Sequence, residues 1–260
     1  MYFYAMKKPL ILVTNDDGII SPGIKALVDV ASTFGDVVVC APDSPQSGKG
    51  HAITLDIPLY VEETHQFENI KSYQCSGTPA DCVKLAIDKL LPHKPDLCLS
   101  GINHGSNSSI NVIYSGTMSA AMEGAINGMA SVGFSLLDYN FDADFEAAKV
   151  YAGKIIEQVL QQGLPTDTLL NVNIPKASYN EIKGIKICRQ AIARWVEDYD
   201  ARTDPRGKQY YWLTGRFENL DHGVDTDEWA LENGYISVVP VHFDFTAHHG
   251  ISFLNSKWIL

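Results

Sequence analysis

Residues 10–13 (LILV) form a short, unbroken apolar run, the pattern of a strand buried on both faces in a parallel sheet. A helix follows. Ser21 sits at the N-cap and Pro22 at the first helical position, with Ile24, Leu27, Val28 and Ala31 on one face and Gly35 expected to close it. Residues 37–41 (VVVCA) read as a second buried strand. Thr78-Pro79-Ala80-Asp81 opens another helix as a capping box with Asp in place of Glu, and Val83, Ala86, Ile87 and Leu90 form its inward stripe. Residues 97–99 predict a strand. A small-residue helix begins near Thr117 and carries Met118, Ala121, Ala125 and Met129. Residues 132–137 are strand-like, 143–162 helical and 169–174 strand again. Strands alternating with helices predict an α/β fold, doubly wound, with a mostly parallel sheet.

The texture changes after residue 183. Residues 185–188 and 209–214 read as strands, with Asp204-Pro205-Arg206-Gly207 as the turn before the second. The stretch 189–215, rich in Trp, Tyr and Arg, predicts a projecting strand–turn–strand. A short helix over 227–233 stops at Gly234, and 235–241 is a strand. The organisation expected is a core over 1–183 and a β-rich C-terminal extension over 184–260 that belongs to the same domain unit. The tandem His248-His249 is expected in a solvated loop.

Composition narrows the class. A hydrophobic share of 45% with 20% charged residues excludes disorder as the main state. No apolar run approaches the roughly 20 residues that span a bilayer, so no membrane partner is expected. Acidic residues outnumber basic ones, 31 to 20, for a net charge of −11. That argues against a nucleic-acid polymer as partner but leaves room for a small phosphorylated substrate. The five cysteines are odd in number and lack C-x-x-C spacing, so they read as small core hydrophobes. MYFYAMKKPL is a poor signal peptide, residues 1–5 read as a tail ahead of an alternative start at Met6, and the expected location is cytoplasmic.

In an open α/β sheet ligands bind beyond the carboxyl ends of the strands, so the residues just after each strand carry the chemistry. These are Asn15-Asp16-Asp17-Gly18, the Gln46-Ser47-Gly48 loop, Ser100-Gly101-Ile102-Asn103-His104-Gly105-Ser106-Asn107, and Ser115-Gly116-Thr117 at a helix start. Asp16 and Asp17 read either as turn and cap residues or as a pair of repelling carboxylates neutralised by a hard cation. With the Ser47 hydroxyl and the Asn103 amide they make an all-oxygen set, suited to magnesium, manganese or calcium and not to zinc or copper. Ser115-Gly116-Thr117 reads as a phosphate cradle or as ordinary N-capping. His51 and His104 flank the loops, His104 being the better general-acid candidate. Tyr210, Tyr211 and Trp212 read as interface or core, with base stacking the lesser reading. A Walker loop, a G-x-G-x-x-G after the first strand and a G-x-S-x-G elbow are all absent from the sequence, and N-D-D-G is not the D-x-D of phosphoaspartate-forming phosphatases.

The segments LVTNDDG, SPGIKAL, VVVCAPDSPQSGKGHAITL, GTPADCVKLA, PDLCLSGINHGSN and YSGTMSAAMEGA resemble, in order, the motifs of the stationary-phase survival protein E (SurE) family of 5′-nucleotidases. The resemblance implies a Rossmann-like core with an oligomerising extension, and one divalent cation, Mg2+ or Mn2+, held by Asp16, Asp17, Ser47 and Asn103. It implies hydrolysis of nucleoside 5′-monophosphates, with Asp16, Asp17 and Asn103 in catalytic roles. Asn15, Gly48, Asn107, Ser115, Gly116 and Thr117 are then the expected substrate-binding residues. Water attacks directly, without a covalent phosphoenzyme, and the assembly is a homodimer or homotetramer. The alternative is a non-catalytic nucleotide- or phosphate-binding regulator on the same fold.

Overall fold

A computed structural model describes residues 8–259 of the chain. The tail over 1–5 and the choice of start codon lie outside the described residues. The elements run β1 Leu10–Thr14, α1 Pro22–Ala31, β2 Asp36–Pro42, β3 Val61–Thr64, β4 Lys71–Cys75, α2 Pro79–Leu85, β5 Leu97–His104, α3 Gly116–Ile126, β6 Ala130–Leu136, α4 Glu146–Gln162 and β7 Thr168–Ile174. The C-terminal third adds β8 Ile185–Ile187, β9 Ala193–Thr203, β10 Gln209–Asn219, α5 Asp227–Glu232, β11 Ile236–His242 and α6 His248–Lys257. The central sheet has the order β3-β4-β2-β1-β5-β6-β7-β11-β8. From β4 to β7 its pairs are parallel, while β3 and β11 join antiparallel to their inner neighbours and β8 pairs parallel with β11.

This order creates the site. From β1 the chain moves outward through β2 to β4, then returns to lay β5 on the other side of β1. The direction of winding reverses between β1 and β5, and the carboxyl ends of those two strands bound the crevice at that switch point. The two faces are covered by pairs of helices. On one face Ile24, Leu27 and Val28 of α1 and Ala148, Ala152 and Ile156 of α4 pack on Ile11, Val13, Leu99 and Phe134. On the other, Cys82 and Val83 of α2 and Ala120 of α3 pack on Leu12, Cys40 and Cys98. All five cysteines are buried and unpaired.

Four local features depart from the sequence expectations or add to them. The helix α1 ends at Ala31, so Gly35 is not its cap; Gly35 is there because a Cβ would fall 2.2 Å from the Pro9 carbonyl oxygen. The pair β3 and β4 carries no apolar period, being half exposed, and exists through pairing with β2. His248 and His249 start α6, a helix with no buried residue, and His248 Nε2 pairs with Asp244 at 2.8 Å. The C-terminal third does not merely project: β11 and β8 complete the central sheet, and only β9 and β10 leave it, as an antiparallel hairpin paired from Ala193–Asn219 to Thr203–Gln209. No helix among the described residues is long and apolar enough to cross a membrane.

Candidate active site at the β1–β5 switch point

Asp16 lies two residues past the end of β1 and is buried. Its carbonyl accepts from the Gln46 amide at 2.7 Å, which fixes the Ser47 loop against it. Its carboxylate accepts from the Thr117 hydroxyl at the start of α3. Burial first, then the charge of Asp17, pushes the Asp16 carboxyl up to about 6. The Thr117 hydroxyl is neutral, and neither Lys nor Arg lines the cavity the carboxylate borders. Asp17 accepts from both the backbone amide and Nδ1 of His104, at 3.1 and 2.8 Å. That bond is the main cause holding the His104 imidazole above its ordinary value, against the opposing effect of burial.

Asn103 stands just past an irregularity in the β5–β6 ladder, between Ser100 and Asn103, which bends the strand where it meets the crevice. Its Nδ2 donates to the Gly105 carbonyl at 2.9 Å, leaving its side-chain oxygen as the donor atom for a ligand. A cavity of about 170 Å3 is lined by Asp16, Ser47, Gly48, Asn103, Asn107 and Ser115, so these six predicted residues from four separate segments do converge. The cavity walls also include His104, Ser106, Asn111, Tyr114 and Tyr139. A wider groove of about 590 Å3, flanked by Ile53, Leu55, Leu85 and Ile87, contains none of this chemistry.

Asn15, Asp17, Gly116 and Thr117 do not line the cavity, and hydrogen bonds behind it brace both them and the lining residues Asn107 and Ser115. Asn15 is fully buried, and its Nδ2 donates to the Gly18 carbonyl at 2.9 Å and the Ser21 hydroxyl at 2.8 Å, bracing the turn. Asn107 directs its Nδ2 to the Ser135 hydroxyl at 2.8 Å, within a polar network reaching Asn171 and Asn173 on β7. Ser115 is the N-cap of α3, its hydroxyl accepting from the Met118 amide at 3.0 Å. Gly116 lies against Asp16: a Cβ there would stand 2.6 Å from the Asp16 Cβ. Thr117 orients Asp16. His51 is not at the cavity; it pairs with the buried Glu123 at 3.0 Å, alongside Lys84 at 3.1 Å.

Sequence reasoning missed Asn111 and Tyr114. They lie in and just after a 3₁₀ stretch, Ser109–Ile113, where residues three apart share a face. That spacing is the signal that finds them. Trp195 was also missed: its Nε1 donates to Asn111 Oδ1 at 2.8 Å, bringing the foot of the hairpin to the site.

A doubly wound sheet with an acidic, oxygen-lined cavity at its switch point defines the class: a Rossmann-like α/β protein whose site suits a hard cation and an anionic ligand. The family model described as "Survival protein SurE" matches residues 11–197. The chain belongs to that family. It is 62% identical over 256 residues to the 5′-nucleotidase SurE of Christiangramia forsetii, covering 98% of each chain. It is 46% identical over 253 residues to the 5′-nucleotidase SurE of Bacteroides fragilis, covering 96% of this chain and 98% of that one. Among solved structures, the SurE protein from Aquifex aeolicus superposes with a TM-score of 0.83 at 42% identity, over 95% of this chain and 99% of that one.

Proposed function

We propose that this chain is a divalent-metal-dependent phosphatase that converts nucleoside 5′-monophosphates to nucleoside and phosphate. The observation that carries the reading is the buried Asp16 carboxylate, next to Asp17 and facing a cavity otherwise lined by neutral polar groups and His104. Such a charge calls for a cation, and Ser47 and Asn103 beside it offer oxygen donors. Asp16, Asp17, Ser47 and Asn103 would hold it, as magnesium or manganese. When bound, the cation supplies Lewis-acid polarisation of the phosphoryl group and acidifies a water.

The chain's own part is positioning. Thr117 and the Gln46 amide hold Asp16, and His104 holds Asp17. The start of α3 points its positive end at the cavity, where Ser115 and the Gly48 segment meet a phosphate. Asn107 lines this wall, and Asn15, Gly116 and Thr117 act from behind, shaping it. The Ser115 hydroxyl already accepts a capping bond, and no base stands bonded to Ser47 or Ser115, so a solvent water is the attacking group.

The test is release of phosphate from AMP with and without manganese, run in oxygen-18 water. The expected result is manganese-dependent release with the label in phosphate. Binding without release would favour a non-catalytic regulator, and a phosphorylated peptide containing Asp16, Ser47 or Ser115 would overturn direct attack by water.

The same proposal covers assembly and location. The hairpin exposes Tyr199, Tyr211, Trp212 and Leu213, residue types enriched at interfaces, and an isolated hairpin is marginal in water. A homodimer or homotetramer that buries these side chains is expected, and light scattering at micromolar concentration showing a single chain would contradict it. The five unpaired thiols support a reducing compartment such as the cytoplasm.

A further inference from the structure

The cavity at Asp16, about 170 Å3, is small beside the roughly 300–1,000 Å3 of ordinary ligand pockets. It accommodates a phosphate and a cation, not a nucleoside. A second cavity of about 480 Å3 shares Gly48 and Tyr114 with it and is otherwise lined by Trp195, Glu197, Leu213, Thr214 and Gly215. The two cavities therefore share part of their walls, one polar and one mainly aromatic and aliphatic.

The hairpin supplies the walls of this second cavity. Trp195 faces Phe217 across the β9–β10 ladder, edge to face at 5.7 Å between ring centres. Its Nε1 is held by Asn111, which itself lines the phosphate cavity. The indole is thus fixed from both sides. On the other side, the Tyr114 carbonyl accepts from the Gly50 amide at 3.0 Å, tying Tyr114 to the Ser47 loop. Among the residues lining this cavity, Glu197 is the only charged side chain.

We propose that this second cavity is the base subsite, taking the base of a nucleotide whose phosphate lies at Asp16. This rests on the nucleotidase reading above. Trp195 and Tyr114 offer aromatic faces, which stack on any base. Glu197 offers a carboxylate acceptor, which favours a base edge rich in N–H donors. Guanine presents N1–H and an N2 amino group side by side; uracil presents carbonyl oxygens on either side of a single N–H. The subsite therefore selects guanine over uracil. The aromatic residue beside the site is Trp195 at the foot of the hairpin; Tyr211 and Trp212, further along it, do not line this cavity.

The test is steady-state kinetics with manganese on GMP, UMP and ribose 5-phosphate, for wild type, Trp195→Ala, Trp195→Phe and Glu197→Gln. For Trp195→Ala the expected result is a fall of about tenfold in the GMP to ribose 5-phosphate ratio of kcat/KM, carried by KM. Trp195→Phe keeps most of the ratio, because a ring remains. Glu197→Gln reduces the GMP to UMP preference several-fold. An unchanged ratio in Trp195→Ala, or an equal loss on all three substrates, overturns the subsite. If the wild type hydrolyses none of the three, the nucleotidase reading has failed. Calorimetry with GMP then decides the subsite separately: Trp195→Ala must bind at least about tenfold more weakly, and equal binding overturns it.

Discussion

Asp16→Asn lowers phosphatase activity by on the order of a thousandfold while making the metal-free protein more stable. A thousandfold corresponds to about 4 kcal/mol of transition-state stabilisation, within what a Lewis-acid cation supplies. The stability change has the opposite sign for a local reason. Asp16 is 4% exposed, lies beside a second carboxylate, and is neutralised by no Lys or Arg at the cavity. Asparagine keeps an oxygen for the Thr117 hydroxyl and removes the buried charge. A gain of about 1–2 kcal/mol follows, or roughly 3–6 °C in Tm for a chain of this size. The experiment is thermal unfolding in EDTA and again with manganese. Wild type gains on the order of 2.7 kcal/mol at a hundredfold excess of manganese over Kd, whereas the variant gains little. An Asp16→Asn protein with wild-type activity and the wild-type manganese shift would remove the cation site from this crevice.

Gly116→Ala has nearly as large an effect on activity, through packing instead of charge. The added Cβ would sit 2.6 Å from the Asp16 Cβ and 2.9 Å from its Oδ2, closer than real Cβ contacts come. Either the start of α3 or the Asp16 carboxylate has to shift. Overpacking of this kind costs about 1–3 kcal/mol, and a displacement of about 1 Å at a catalytic group costs on the order of a hundredfold in rate. Gly153→Ala in α4 is the control. Its Cβ meets nothing closer than 3.6 Å, so the change is neutral or stabilising by up to about 1 kcal/mol. Kinetics and thermal unfolding on both variants separate the two cases. Equal behaviour would mean that α3 does not press on Asp16.

Much of the architecture is legible in the chain because local rules and burial agree. Residues 10–13 and 37–41 are apolar throughout, and both became strands covered on two faces. Ser21-Pro22 and Thr78-Pro79 with Asp81 began helices where capping chemistry says they must. The two short strands β3 and β4 were invisible, since VEET and KSYQC have little apolar pattern. Their hydrogen bonds to a neighbouring strand decide their structure, and a neighbour is a tertiary fact.

The division at the site has the same cause. Asp16, Ser47, Asn103 and Ser115 were recognisable in the sequence because each follows a strand or opens a helix, and an α/β sheet gathers such positions along one edge. What each atom does was not recognisable. Only the approach of α3 to the turn after β1 makes Thr117 a partner of Asp16, and only the pairing of β5 beside β1 gives His104 to Asp17. Trp195 is separated from Asn111 by 84 residues along the chain, and no local pattern links them. The sequence by itself determined the fold class and which segments carry polar chemistry, because period, capping and apolar runs are properties of neighbouring residues. The tertiary structure alone decided which of those groups face the cavity, which stand behind it, and that the foot of the hairpin reaches Asn111 in its wall. Those outcomes depend on contacts between segments far apart in the chain.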